Sequence, residues 1–591
     1  MIEQFFTTWD GVRLFYRAWI PAEAATSPPA RALVLFHRGH EHSGRLADLV
    51  ARLDLPGFAV FAWDARGHGQ SPGERGWADS FACLVRDADC FVKHIVAEHG
   101  IAVQNIAVVA HSVGAVIAAA WVHDYAPPIR AMVLASPAFR VKLYVPFAVP
   151  FLRVQRKLRK RAYVTSYVRP SMLTHDPAEA AGYARDPLIS RAVSVNLLLD
   201  MNDTAARIVE DAEAIRTPTL VISSGKDYVV RVEEQRAFFG RLGSPMKEMQ
   251  EYPGFYHDLW HERDWERPVG DAREFLLRAF DRPVEDDLPP TNQANYKALL
   301  RRPGALSPDG LLWGAQRLFL KTVGQLSRGI RLGWSRGFDS GDSLDYVYRN
   351  RPEGVSPLGK LIDGIYLSSP GWRGIRQRKA NLEELLSYAI GRVRSSGKPV
   401  RIFDPAAGLG RYLTEAVSRL QDNSISLTMR DWDPENVVQA ARVARESGLG
   451  NVETGQGDAF DRSSLASLRP RPSIAIVSGL YELFADNRKI RQSLLGLADA
   501  LDDDGFLIYT NQPWHPQLEM IARVLDNREG QPWVMRCRSQ AEMDALVEHA
   551  GFEKLETRMD EDGIFTVSLA RRRATSPQLV AGVSQERGEG L

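Results

Sequence analysis

Cysteine is scarce in this chain. Only Cys83, Cys90 and Cys537 occur among 591 residues, too few and too scattered for a disulfide framework, which points to a reducing compartment. An excess of either charge is also lacking: 74 basic against 73 acidic residues leave a net +1, so bulk charge steers nothing toward nucleic acid and no nucleic-acid partner is expected. No uninterrupted apolar run reaches the ~20 residues of a membrane-spanning helix. The opening Met1-Ile-Glu-Gln-Phe-Phe-Thr-Thr-Trp-Asp has neither a basic start nor a long apolar stretch, so no secretory signal is expected. Together these absences predict a cytoplasmic chain, soluble or peripheral to the inner membrane face. A composition of 45% hydrophobic and 25% charged residues is ordinary for folded protein, and the length suggests three to four domains or two large ones.

The richest local pattern is Ile106-Ala-Val-Val-Ala-His111-Ser112-Val113-Gly114 followed by Ala-Val-Ile-Ala-Ala-Ala. It reads as a buried strand, a sharp turn bearing one hydroxyl, and a small-residue helix. A serine on such a turn is pushed out of the sheet, with the next backbone N–H aimed at any oxyanion formed beside it. Ser112 is therefore the candidate nucleophile, although Ala110 stands at the first position of the usual G-x-S-x-G. Apolar runs at Ala32–Phe36, Phe58–Trp63, Thr219–Ser223 and Met249–Tyr252 end in His37-Arg38-Gly39-His40-Glu41-His42-Ser43-Gly44-Arg45, Asp64-Ala-Arg-Gly-His-Gly-Gln-Ser-Pro, Ser224-Gly-Lys-Asp227 and Pro253-Gly-Phe-Tyr-His257. Each acid or base thus follows the C-terminal end of a predicted strand, where α/β sheets build their sites.

These stretches resemble the monoacylglycerol lipase and serine-aminopeptidase-like branch of the α/β-hydrolases. The resemblance implies Ser112 as nucleophile, His257 as base and Asp227 as the acid that orients it. The N–H groups of Gly39 and Val113 would form the oxyanion hole. Arg38, where the family has glycine, is expected to narrow the mouth of that hole or make it more positive. His37, His40, His42 and His68 match no zinc spacing, so no metal is expected.

Residues 281–290 are acidic and rich in proline, which predicts the end of a hydrolase domain at 1–283, with a cap at about 138–205. A second pattern follows. Lys398-Pro-Val-Arg-Ile-Phe-Asp404 is a strand ending in an acid, and Pro405-Ala406-Ala-Gly408-Leu-Gly410 is a turn whose glycines let backbone approach a nucleoside-bearing ligand. A second strand ends at Asp431, a carboxylate placed for ribose hydroxyls. Gly457-Asp458-Ala459, then strands near Ser473, Gly505, Phe552 and Ile564, complete the order. It is similar to the class I S-adenosylmethionine-dependent methyltransferases, Rossmann-like α/β folds, over 345–572. That resemblance implies Asp404, Gly408 and Gly410 around the methionine and ribose portion of S-adenosylmethionine, Asp431 on the ribose, and Asp458 with Ala459 near the adenine. Ala406 replaces the family's first glycine. The tail from 573 to 591 reads as disordered.

Two basic stretches bear on partners. Val141–Tyr163 carries seven Lys and Arg residues and no acid, beside the apolar Leu143–Leu152. In the predicted linker, 284–344, Arg317, Lys321, Arg328 and Arg331 fall within an arc of about 80° at 100° per residue, with Leu311, Ala315, Leu318, Phe319, Leu326 and Ile330 opposite. One helix over Leu311–Gly337 would suit an anionic membrane surface, or it would pack its apolar face on a domain with the basic side chains solvated. The expected function is a serine hydrolase of a lipid-like ester joined to a methyltransferase of unknown acceptor. Alternatives are a thioesterase or acyltransferase, and a second domain that binds a nucleoside without catalysis.

Overall fold

The computed structural model describes residues 1–21, 29–159, 161–282 and 290–573. It divides into two compact units, Met1–Leu288 and Pro289–Leu591. In the first, β1 (Ile2–Thr7), β2 (Arg13–Trp19), β3 (Arg31–Phe36), β4 (Phe58–Trp63), β5 (Ile106–His111), β6 (Ala131–Ala135), β7 (Tyr163–Thr165), β8 (Ala192–Ser194), β9 (Thr219–Ser224) and β10 (Lys247–Tyr252) follow in chain order. All but β7 and β8 form one sheet in the order β1-β2-β4-β3-β5-β6-β9-β10. It is parallel from β4 to β10, with β2 antiparallel to β4 and β1 to β2. β4, β5, β6 and β9 are buried along their whole length, as strands sandwiched between helices must be. Between β6 and β9 the cap folds as the helices Ala148–Leu158, Pro177–Arg185 and Val195–Glu210 and the antiparallel pair β7/β8.

The second unit holds β11 (Arg401–Asp404), β12 (Ser426–Asp431), β13 (Val452–Gln456), β14 (Ile474–Val477), β15 (Phe506–Asn511), β16 (Phe552–Met559) and β17 (Thr566–Arg572), in the order β13-β12-β11-β14-β15-β17-β16. The strands are parallel except β17, which runs antiparallel to both β15 and β16. Strand order reverses between β11 and β14, so the C-terminal ends of β11 and β12 open onto a crevice, the position at which doubly wound sheets bind ligands.

The predicted linker behaves differently from expectation. Its described part belongs to the second unit, and Leu311–Gly337 is two helices, Pro308–Lys321 and Arg328–Arg336, separated by a single 3-10 turn at Val323–Leu326. A local cap and a buried acid cause the break. Ser327 accepts from the Ile330 N–H (3.1 Å) and so starts a new helix, while its hydroxyl donates to Asp363. Asp363 is fully buried and also accepts from the Gly329 N–H (2.9 Å), the Glu353 N–H (2.8 Å) and the Tyr346 hydroxyl. The 80° arc therefore does not form. Arg317 turns inward to the Val524 carbonyl (2.7 Å) and Asp526 (2.6 Å), and Arg328 pairs with Glu353. The expected tail lies outside the described residues, apart from Arg573. Among the described residues no helix is long and apolar enough to cross a membrane.

Candidate active sites

At the end of β5 the chain turns so sharply that Ser112 takes φ 55° and ψ −112°, a strained conformation that non-glycine residues adopt where surrounding structure holds them. Two contacts hold it: the Ser112 N–H donates to the Ala135 carbonyl (2.9 Å) and its carbonyl accepts from the Ala138 N–H (3.1 Å). The following helix, Val113–Tyr125, can lie against β3 because residue 114 is glycine. A Cβ there would stand 2.5 Å from the His37 carbonyl oxygen and 2.6 Å from that of Phe36. Ala110, buried in β5, is accommodated without disturbing the turn.

His257 arrives from the loop after β10 and Asp227 from the loop after β9. His257 Nε2 lies 2.9 Å from Ser112 Oγ and its Nδ1 lies 2.7 Å from Asp227 Oδ2. The other Asp227 oxygen accepts from the N–H groups of Val229 (2.6 Å) and Val230 (2.9 Å). Burial opposes the Asp227 charge, but His257 and these hydrogen bonds outweigh it and hold the carboxyl below its ordinary range. His111 fastens nucleophile strand to histidine loop, its Nε2 3.0 Å from the His257 carbonyl. Gly39 and Val113 are adjacent: a Cβ on Gly39 would come within 3.1 Å of Val113 Cγ2.

Arg38 departs from expectation. Its guanidinium is buried and turned to two carboxylates, Glu41 (2.7 Å) and Asp258 (3.2 Å). Glu41 also takes Arg45 (2.8 Å), and Asp258 takes His261 (3.0 Å). Despite burial, His261 and Arg38 keep Asp258 well below the usual carboxylate range. The neighbouring histidines serve the loops. His37 Nδ1 meets the Arg38 carbonyl (2.7 Å) while Nε2 accepts from the Ala65 N–H (3.0 Å), and His42 Nε2 reaches Asp186 of the cap (2.9 Å). Among the described residues no three His, Cys, Asp or Glu side chains are grouped to hold a metal. A cavity of about 280 Å³ of mixed polarity, lined by Phe139, Leu143, Leu199, Arg140, Asn202 and Arg231, reaches Ala138, whose N–H donates to the Ser112 carbonyl.

In the second unit the turn after β11 contains Gly408 (φ +57°) and Gly410 (φ +64°). Both need the left-handed conformation that glycine adopts freely, and a Cβ on Gly410 would also meet Met429 Sδ at 2.4 Å. Asp431, at the end of β12, is tied to this turn: one oxygen accepts from the Gly408 N–H (2.8 Å), the other from Asn436 (3.1 Å) and the Asp433 N–H (3.0 Å). Gly408, Gly410, Asp431, Asp458 and Ala459 all line one cavity of about 630 Å³, and Asp458 caps its own turn through the Phe460 N–H (2.8 Å). Asp404 is not among the lining residues. It is fully buried, accepting from the Ala406 N–H (2.9 Å) and the Tyr412 hydroxyl, and burial lifts its carboxyl to about 7. Its position organises the turn from beneath.

Several lining residues escaped the motif reading. Trp432 is 71% exposed beside Asp431, and its place next to the motif acid was a usable signal for a stacking surface. Arg378 had none, because it comes from the helix Pro370–Ser395, which precedes the motif. It is buried beneath Gly479, where a Cβ would lie 2.9 Å from its Nη2, and its nearest carboxylate, Glu482, is 3.6 Å away.

Fold and sites together define an α/β-hydrolase unit joined to a class I methyltransferase-like unit, and comparison with known proteins agrees. The chain belongs to the family described as "Putative methyltransferase", whose model matches residues 272–572. Residues 27–264 match the serine aminopeptidase S33 family. A relative from Escherichia coli K12, "Uncharacterized protein YnbC", is 49% identical over 97% of this chain and 98% of its own length. The monoacylglycerol lipase of Mycolicibacterium smegmatis is 28% identical over 46% of this chain and 96% of its own. A crystal structure of a monoacylglycerol lipase from Paleococcus ferrophilus covers 45% of this chain and 99% of its own, at 25% identity and a TM-score of 0.41.

Proposed function

We propose that this chain is a bifunctional cytoplasmic enzyme: a serine hydrolase of lipid-like esters, of the monoacylglycerol or lysophospholipid kind, joined to an S-adenosylmethionine-dependent methyltransferase whose acceptor is open. The observation that carries the first half is the hydrogen-bonded chain Ser112–His257–Asp227 at a strained turn. In this mechanism His257 Nε2 takes the Ser112 proton as Oγ attacks the ester carbonyl, and the N–H groups of Gly39 and Val113 receive the oxyanion. The alcohol leaves with the proton held at Nε2. Water then gives that nitrogen a proton while attacking the acyl-serine, and Ser112 recovers it as the acid departs. Asp227 keeps Nδ1–H in place and stabilises the imidazolium. The exposed Phe147 and Phe151 of the cap support a lipid-like ester, and the lipase relatives point the same way.

For the second half, the donor set fits the cofactor. Asp431 would take the ribose hydroxyls, Asp458 and Ala459 would face the adenine, and the turn N–H groups with Arg378 would hold the carboxylate, all of them lining one cavity. When bound, S-adenosylmethionine supplies a methyl group on an electrophilic sulfonium. The protein's part is to hold the cofactor and an acceptor in line and exclude water.

Ser112→Ala should lower hydrolysis of short p-nitrophenyl esters and monoacylglycerols by several orders of magnitude and abolish fluorophosphonate labelling with the fold intact. Retention of more than a tenth of the rate would remove Ser112 from the mechanism. Parallel assays with thioesters and with alcohols as acyl acceptors separate a hydrolase from a thioesterase or acyltransferase.

A further inference from the structure

The helices at the start of the second unit are inside out relative to their sequence pattern. On Pro308–Lys321, the inward side carries Trp313, Arg317 and Leu320. Leu311, Leu312, Leu318 and Phe319 face away from the unit, 51–64% exposed, and with Ala315 they cover an arc of about 120° at 100° per residue. The helix Pro357–Leu367 repeats this arrangement, with Leu358, Leu361 and Ile365 54–66% exposed along one stripe. Both helices pack on the turn Val323–Leu326, whose own Val323 is 40% exposed. Arg317 reaches the Val524 carbonyl and Asp526, and Asp363 receives four donors, so buried polar bonds hold the two helices with their apolar stripes outward. Large contiguous apolar surface of this kind marks an interaction site.

Its occupant is indicated by charge. From Arg301 to Ser368 most exposed charged side chains are basic, Lys321, Arg331 and Lys360 among them, against the acids Asp309, Asp342 and Glu353. Apolar side chains flanked by cations of one sign suit a bilayer with anionic headgroups, into which a helix lying flat sinks its apolar face while the cations stay at the phosphate level. We infer that this helix pair is a monotopic anchor, which inserts Leu311, Phe319, Leu361 and Ile365 into lipid. Insertion by apolar side chains, and not attraction of a basic face, supplies most of the binding. The inference deepens the proposal of a lipid-like ester by naming the surface at which the chain works, yet its test reads binding alone, so either can fail without the other.

The hydrolase unit has its own apolar helix end, with Phe147, Phe151 and Leu158 68–84% exposed, so variants must separate the two. The full chain should co-sediment with vesicles of phosphatidylcholine and phosphatidylglycerol, and most of that binding should survive salt near 1 M, where the Debye length is about 3 Å. Leu311→Glu with Phe319→Glu, and separately Leu361→Glu with Ile365→Glu, should each weaken the partition more than tenfold with little change in thermal midpoint, since more than half of each of these residues is exposed. Lys321→Glu with Lys360→Glu should weaken it only a few-fold. The inference is overturned if the wild-type chain stays in the supernatant, if the apolar pairs sediment like wild type while Phe147→Glu with Phe151→Glu does not, or if salt alone releases the chain. It is equally overturned if the apolar variants convert a dimer to a monomer without changing vesicle binding, which would assign the face to a second copy.

Discussion

At the scale of single residues, one carboxylate in each unit shows how environment sets role. Asp227 lies in the loop after β9 and Asp404 is the last residue of β11, and both are buried. Asp227 faces an imidazole and two N–H groups and stays ionised below its ordinary range, whereas Asp404 has a hydroxyl and one N–H but no cation, and burial lifts it to about 7. The sign of the consequence follows. Between the ordinary value, 3.8, and about 7 the folded chain holds a proton on Asp404 that the unfolded chain has lost, so stability declines as pH rises through this window. Asp404→Asn should flatten that decline, leaving the second unit more stable than wild type at about pH 8 by an amount on the order of 1–4 kcal/mol. Urea midpoints across the pH range check it; parallel curves for variant and wild type would refute the assignment. Asp227 runs the other way, adding stability above its ordinary carboxyl range that is lost as pH falls through its lowered folded value.

At the scale of elements, the nucleophile turn is the place where sequence pattern and packing agree. Its small-residue helix lies so close to β3 that Gly114 is required twice over, by the His37 and Phe36 carbonyl oxygens. Gly114→Ala should therefore cost about 3 kcal/mol from overpacking and displace Ser112, with loss of ester hydrolysis greater than the stability loss explains. Thermal unfolding followed beside the esterase rate checks both halves. Elements legible in the sequence are those whose burial imposes a continuous apolar run: β4, β5, β6, β9 and β14. Two of the four edge strands were not legible. β13 is Val452-Glu-Thr-Gly-Gln456, nowhere fully buried, and β1 buries a single residue, Phe6, so neither carries a pattern. The linker helices failed for a different reason, since the periodicity was real but the side that faces inward is chosen by Asp363 and Asp526 from elsewhere in the fold.

For the whole molecule, two units with separate cavities imply separate ligand responses. S-adenosylmethionine at a hundred times its Kd should stabilise the 289–591 unit by about 2.7 kcal/mol, visible as a shift of one calorimetric transition while the other stays in place. Asp431→Ala should weaken cofactor binding at least tenfold, because charge-assisted bonds to ribose hydroxyls are each worth about 1.5–3 kcal/mol. Titration calorimetry decides it, and no heat with millimolar ligand would dismiss the cofactor.

Sequence by itself determined the two fold classes, the sharp turn at Ser112 and the glycine turn after β11. These depend on residues close in the chain, where spacing and turn chemistry are local and carry their meaning without partners. Only tertiary structure decided that Arg38 is paired with Glu41 and Asp258, that Asp404 lies under the glycine turn and not in the cavity, that Arg378 enters it from a distant helix, and that the helix Pro308–Lys321 turns Arg317 inward and exposes Leu311, Leu312 and Leu318. Each of these rests on a buried polar group, whose cost must be met by a partner. That partner is chosen by packing in space, and nothing in local periodicity records which residue it is.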